Sequence, residues 1–459
     1  MKRIIAVLLA LLLALSLFGC SKQDQPQQPS PQPTQQATQE PTQQPTQEPS
    51  PEPTAEPADE AWDFTVQIER SEQSYTAEDG TVIATEAVER PVLRLMNASG
   101  EIFSGSEPGR GVTAQQLAAC DAFNDAASAV GVWDIDIEEE GRTIYEMRKE
   151  SGDKMPPVGR EITVSQIERT GGLLSILEGD YAYLGGAHPD YGLRAWNFDL
   201  SSGKFVDLMA LTDRPEELRK TIVYEAGSQI FASEYRDGFY GNWFDILMEK
   251  ESFEVFFGSE NMTVFFQEYD IAPHAVGVPM FEIPYSLISR FLNSYGDQLL
   301  DLPVETTVIG DFHEAQDLWS WLDAGAPVDF SDTRTEGDFW YCRVNDPNVH
   351  TLADVKEMLS KYVDASFVEE QFTERCVLRE FDGVLYAASV GRGDDLSIAS
   401  VDYDAQLSGE TGKVIVTIHR QDYDDTLGDW VLTGESDVLE FPFTLKNGHA
   451  VFTTMKYIY

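Results

Sequence analysis

Two spacings of apolar residues recur along this chain, and they come in blocks. From Trp62 to Met96 apolar and polar positions alternate: Phe64, Val66 and Ile68, then Val82, Ile83 and the run Val92 to Leu95. A period of two predicts strands, here joined at a Glu78-Asp79-Gly80 turn. Thr113 to Val130 has helical spacing, and Thr113 with Gln116 has the form of a capping box. Charged residues fill the stretch up to Gly159. Strands are predicted at Val158 to Ile167, Leu173 to Leu184, Tyr191 to Leu200 (before a Ser201-Ser202-Gly203 turn) and Met262 to Tyr269, with a helix over Pro215 to Ser233.

A boundary falls near Asp301 to Thr307. Beyond it Phe312 to Leu322 and Thr351 to Phe372 read as helices. Strands follow at Phe381 to Ala388, Ala399 to Leu407, Lys413 to Arg420, Asp429 to Thr433, Glu440 to Lys446 and Ala450 to Tyr457, separated by acidic turns such as Gln421 to Thr426. Blocks of strands and helices without regular βαβ alternation point to α+β, in two or three modules. The same pattern weighs against a doubly wound solute-binding receptor.

The N-terminus is different. Lys2-Arg3 precede an apolar run, Ile4 to Phe18, that ends at Leu17-Phe18-Gly19-Cys20. The run is shorter than the roughly 20 residues of a membrane span and has the layout of a secretory signal. Its end resembles the bacterial lipobox. That resemblance implies cleavage before Cys20, a lipid on Cys20 and an extracytoplasmic location on the outer face of the cytoplasmic membrane, in a bacterium of Gram-positive type. Residues 21–61 are nearly all Gln, Pro, Thr, Ser and Glu, which leaves nothing apolar to bury and predicts a disordered tether. Fully extended at about 3.1 Å per residue, such a tether reaches on the order of 100 Å.

Charge narrows the partners. Lys and Arg number 32 against 79 Asp and Glu, a net −47. Such a field excludes nucleic acid and draws cationic partners. Solubility in a salty or acidic habitat explains the same composition. Of the downstream cysteines, Cys120 reads as a buried small hydrophobe, whereas Cys342 and Cys376 are candidates for a disulfide in an oxidising exterior.

Two short stretches are the most distinctive. In Gly185-Gly186-Ala187-His188-Pro189 two glycines admit unusual backbone angles and Pro189 fixes the next step, presenting His188 at a sharp turn. In Tyr269 to Pro279 the residues Pro273, His274, Gly277 and Pro279 specify an irregular rigid loop after an aromatic strand. His274 could meet His188 in space. Two histidines make half a metal site, and no HExxH or paired CxxC supplies the rest, so no metal or other cofactor is expected. A local packing role for His188 stays open beside a role as general base.

These stretches, in this order, resemble the domain of unknown function 3298, the extracellular part of the lysozyme-sensing RsiV-like anti-sigma factors, which also accompanies a peptidoglycan deacetylase. The turn at Ser202-Gly203-Lys204 followed by Val206-Asp207-Leu208 fits the same family, and residues 62–160 look like the companion domain 4163. More faintly, residues 304–459 resemble the IseA-type inhibitors of cell-wall DL-endopeptidases, through Leu318-Trp319-Ser320-Trp321, Tyr341 to Val344, Gly391 to Asp395 and the terminal strand. The implied organisation is a signal at 1–20, a tether at 21–61, a 4163-like region at 62–160, a 3298 region at 161–303 and an IseA-like domain at 304–459. With only three residues ahead of the apolar run, anti-sigma signalling is disfavoured, and so is deacetylation. What carries over is a non-enzymatic binding module for a basic wall hydrolase or other envelope protein, with Gly185, Gly186, His188, Pro189, Tyr269, Pro273, His274 and Gly277 as candidate binding or turn residues. The alternatives are a structural or peptidoglycan-binding lipoprotein, and a hydrolase using His188 with Asp190.

Overall fold

A computed structural model describes residues 61–458 apart from 132–134, 153–155, 338, 375–376 and 389–394. The expected signal, Cys20 and nearly all of the tether lie outside the described residues, as do Cys376 and Gly391 to Asp394. The structure is mixed α+β, as the blocks of spacing predicted.

Strands β1 (Trp62–Thr76) and β2 (Val82–Asn97) form the expected hairpin. The chain then crosses a sheet face in two helices, α1 (Ala114–Ala127) and α2 (Ile137–Ser151), before β3 (Val158–Thr170). β3 pairs in parallel with β2, from Ala84 opposite Val158 to Val88 opposite Ile162. β4 (Leu173–Tyr183), β5 (Asp190–Asp199) and the short β6 (Lys204–Phe205) complete a six-stranded sheet ordered as in the sequence. Residues on both sides of position 160 therefore share one sheet. The capping box of Thr113 and Gln116 is present. Helix α1 buries Ala119, Cys120, Phe123 and Ala127 against Leu93, Leu95, Leu174, Ile176 and Phe198, so Cys120 is a core residue. Helix α2 was hidden by its charge: it buries only Ile137 and Gly141. Its ends obey simple rules all the same, with Asp136 capping the Glu139 N–H and Gly152 left-handed at the C-terminus.

Helix α3 (Pro215–Ala232) buries Leu218, Ile222, Val223, Ala226 and Ile230. It packs, with α4 (Trp243–Glu249), on a three-stranded antiparallel sheet of β7 (Glu254–Phe257), β8 (Asn261–Phe265) and β9 (Met280–Pro284). The expected strand from Met262 ends at Phe265, because the following residues leave the sheet to form a loop. Short helices α5 (Tyr285–Ile288) and α6 (Ser294–Leu300) lead into α7 (Val304–Asp323). α7 is longer than predicted, and its Val308, Phe312, Ala315, Trp319 and Leu322 enter the C-terminal core.

That core is closed by two four-stranded sheets. One has the order β10 (Val328–Glu336), β11 (Phe339–Val344), β13 (Val384–Ala388) and β12 (Leu378–Phe381), with helices α8 (Leu352–Ser360) and α9 (Ala365–Glu374) between β11 and β12 in sequence. Cys342, on β11, is fully buried and has no disulfide partner among the described residues; Cys376, the other candidate, lies outside them. Its side chain is spent on packing, where burial raises the thiol pKa. The other sheet is a meander of β14 (Ile398–Ser408), β15 (Thr411–Asp424), β16 (Asp429–Lys446) and β17 (His449–Phe452). Here the expectation of separate strands at Asp429 to Thr433 and Glu440 to Lys446 is corrected: both belong to β16. The supposed loop from Gln421 is likewise strand as far as Asp424. A register shift opposite His419 to Gln421 absorbs the Gly434 kink, so polar residues continue the ladder.

Candidate functional site

The Gly185-Gly186-Ala187-His188-Pro189 turn joins β4 to β5. Gly185 has φ +84°, and a Cβ there would lie 3.0 Å from Ile144 Cδ1 and 3.2 Å from Arg148 Nη2. Both neighbours belong to α2, so the unanticipated helix is what braces the turn. Beyond it His188 is exposed, with Nδ1 donating to the Pro189 carbonyl at 3.1 Å.

The second stretch is the loop between β8 and β9. It is pinned to the otherwise open edge of β5 by the Gln267 amide, which donates to Leu193 O (2.7 Å) and accepts from Leu193 N–H (3.1 Å). One side chain thus imitates a strand partner. Tyr269 is exposed and left-handed, with φ 70°. Pro273, in extended geometry, starts a short turn over His274–Val276, and Gly277 at φ 79° ends it. A side chain at Gly277 would be strained by that backbone angle even though the space around it is open.

These two segments meet. The rings of His188 and His274 stack with centroids 3.9 Å apart and planes 22° apart, and Tyr269 lies parallel beyond His274 at 6.1 Å. The Glu268 carboxylate stands 3.0 Å from His274 Nδ1 and accepts from Tyr191 N–H at 3.4 Å. Beside the stack opens a cleft of about 400 Å³ lined by Arg160, Asp180, Asp190, Tyr191, Glu268 and Tyr269. Burial raises the pKa of Asp180, opposed by the charges of Arg160 and Arg194. Its Oδ1 has no hydrogen-bond partner among the described residues. Two residues along β4, Glu178 is buried, accepts from Trp196 Nε1 at 2.6 Å and is likewise raised by burial.

Chemically this is a flat ring surface next to carboxylates, suited to a cationic group with an apolar stem. A face-to-face stack does not aim two imidazoles at one ion, and among the described residues no group of three or more His, Cys, Asp or Glu is placed to hold a metal. His188 engages the Pro189 carbonyl and the His274 ring; Asp190 lies in the cleft lining.

Sequence reasoning found the stack and missed its surroundings. Arg160, Asp180, Tyr191 and Glu268 carry no local signature, because strand pairing alone assembles them. A second feature was legible in principle. Tyr224 and Phe231, two helical turns apart on α3, are 62% and 68% exposed. They contact Phe244 and Trp243 of α4 at 5.9 and 6.0 Å, making an exposed aromatic surface. Its signal was aromatic residues on the helix face away from Leu218 and Ile222.

Residues 230–286 match the family described as protein of unknown function DUF3298. The chain carries a domain of that family there, spanning the end of α3, the β7–β8–β9 sheet and the Tyr269 to Gly277 loop; the His188 turn lies upstream. Similar solved structures include a DUF3298 family member from Bacteroides fragilis, 17% identical, covering 51% of this chain and 95% of its own length with TM-score 0.34. Another is a DUF3298 family protein from Pseudomonas aeruginosa, 15% identical, covering 50% and 95% with TM-score 0.32. No curated protein matches the chain.

Proposed function

We propose that this chain is a cell-surface lipoprotein, held by a lipid on Cys20, whose folded part binds a cationic wall-lytic enzyme. The reading combines the RsiV-like resemblance of the two histidine stretches with one geometric observation. His188 and His274, far apart in sequence, form a single ring stack next to Glu268 and Tyr269, which line a cleft with Asp180 and Asp190. The loops that make it are fixed before any partner arrives, which lowers the ordering cost of association. The net charge of −47 steers a basic partner toward the protein over distance. Occlusion of the enzyme follows from binding and needs no chemistry on this chain. The faint IseA-type resemblance of residues 304–459 fits the same class of partner.

The test is binding of the whole chain to immobilised egg-white lysozyme across a salt series. Affinity is expected to fall steeply as ionic strength rises, because exposed charges are screened within about 8 Å at physiological salt. Absence of binding at low salt would remove the proposal. A second reading, a peptidoglycan-binding lipoprotein, is favoured by the Tyr224, Phe231, Trp243 and Phe244 surface, since exposed rings stack on sugar faces. Co-sedimentation with purified wall polymer, lost on Phe231→Ala, would support it over the first.

A further inference from the structure

We infer that the distal end of the β15–β16 hairpin is a second, independent docking arm for a basic protein. β14 accompanies β15 only as far as the Ile398–Arg420 pair, and β17 joins β16 only from Phe443 onward. Gln421 still donates to Ser397 O, and from Asp422 to Val431 the hairpin is a two-stranded ribbon beyond the sheet. Alternation divides its faces. Tyr423, Trp430 and Leu432 share one with Gln421, and Leu427 is at the tip; Asp422, Asp424 and Asp429 share the other with Val431. The apolar face is open: Leu427 is 69% exposed and Leu432 74%. It is also preorganised. Tyr423 and Trp430 stack edge to face at 5.6 Å, and Asp424 Oδ1 accepts from the Thr426 and Leu427 N–H groups in a turn closed by left-handed Gly428.

An isolated ribbon is marginal in water, and exposed apolar surface on it costs solubility. Tyr and Trp are the residues that dominate interface energetics when a partner covers them. The occupant follows from charge. Between Gln421 and Ser436 stand Asp422, Asp424, Asp425, Asp429 and Glu435, with no Lys or Arg. A second copy brings the same acids and the same net charge of −47, and an anionic lipid surface is repelled likewise. A protein presenting an apolar pocket rimmed by Lys and Arg complements both faces at once.

The test uses the whole chain with egg-white lysozyme as cationic probe. Leu427→Ser with Leu432→Ser leaves the Tyr423–Trp430 pair in place and is expected to weaken binding about tenfold. Asp422→Asn with Asp425→Asn is expected to weaken it less and to flatten the salt dependence, with unchanged melting temperature confirming the fold. Unchanged affinity in both variants, or no binding by the native chain, overturns the inference. So does a dimer, or adsorption to phosphatidylcholine vesicles, that the leucine substitutions abolish. If His188→Ala with His274→Ala abolishes binding while the leucine pair has no effect, the cleft reading stands and the arm falls.

Discussion

Two pairs of histidines in this chain have opposite lives. His188 and His274 stack on loops at the surface, where turn chemistry holds them. His313 and His449 belong to the junction around α7. His313 is buried against Tyr403 at 4.6 Å, and burial, helped by the nearby Arg290 charge, pushes its pKa down to about 3. His449 places Nδ1 3.0 Å from buried Asp311, whose other oxygen accepts the Ala450 N–H at 2.7 Å. The hydrogen bond to Asp311 raises the His449 pKa against a smaller opposing effect of burial. The first pair can change without disturbing a core; in the second, His313 cannot, whereas the exposed His449 ring depends on a buried carboxylate. Histidine identity therefore says little here; what each ring rests on decides whether it is an exposed loop feature or part of a buried junction.

The comparison breaks most readily at Asp311. Replacing it with Ala leaves the Ala450 N–H and the His449 ring without their acceptor inside a packed junction, and urea unfolding should show a loss of about 3 kcal/mol. A loss under about 1 kcal/mol would mean the junction is not built on this carboxylate. His313 gives the next largest effect. Its folded-state pKa lies below the ordinary 6.5, so the unfolded chain takes up the proton first. Native stability therefore falls as pH drops from about 6.5 toward 3, and His313→Leu should flatten that fall in thermal melts. His449 has the opposite sign. Its raised pKa contributes stability that is complete below about 6.5 and is lost as pH rises through the folded value. His449→Gln should thus cost more at acid than at alkaline pH. The cost should stay below about 1 kcal/mol, because the ring is largely exposed. The smallest effect belongs to the surface pair: His188→Ala with His274→Ala should change stability by no more than about 0.5 kcal/mol.

The same contrast explains what the sequence made legible. Gly185, Pro189, Pro273 and Gly277 announce backbone geometry locally, so the surface stack could be anticipated. The Thr113 capping box and the Glu78-Asp79-Gly80 turn were visible for that reason too. Asp311 and His313 sit in a helix whose pattern explains burial but not partners, and those come from β14 and β17, far away in sequence. Helix α2 escaped notice because two inward residues suffice to dock it. The β15–β16 ribbon did so because strand pairing continues through residues whose composition spells a turn.

The measurement that bears most directly on the proposed recognition role is the affinity of the whole chain for egg-white lysozyme before and after His188→Ala with His274→Ala, in a variant shown to melt as the native protein does. A fall of tenfold or more is expected. Equal affinity in the two proteins would contradict a recognition role for the stacked rings.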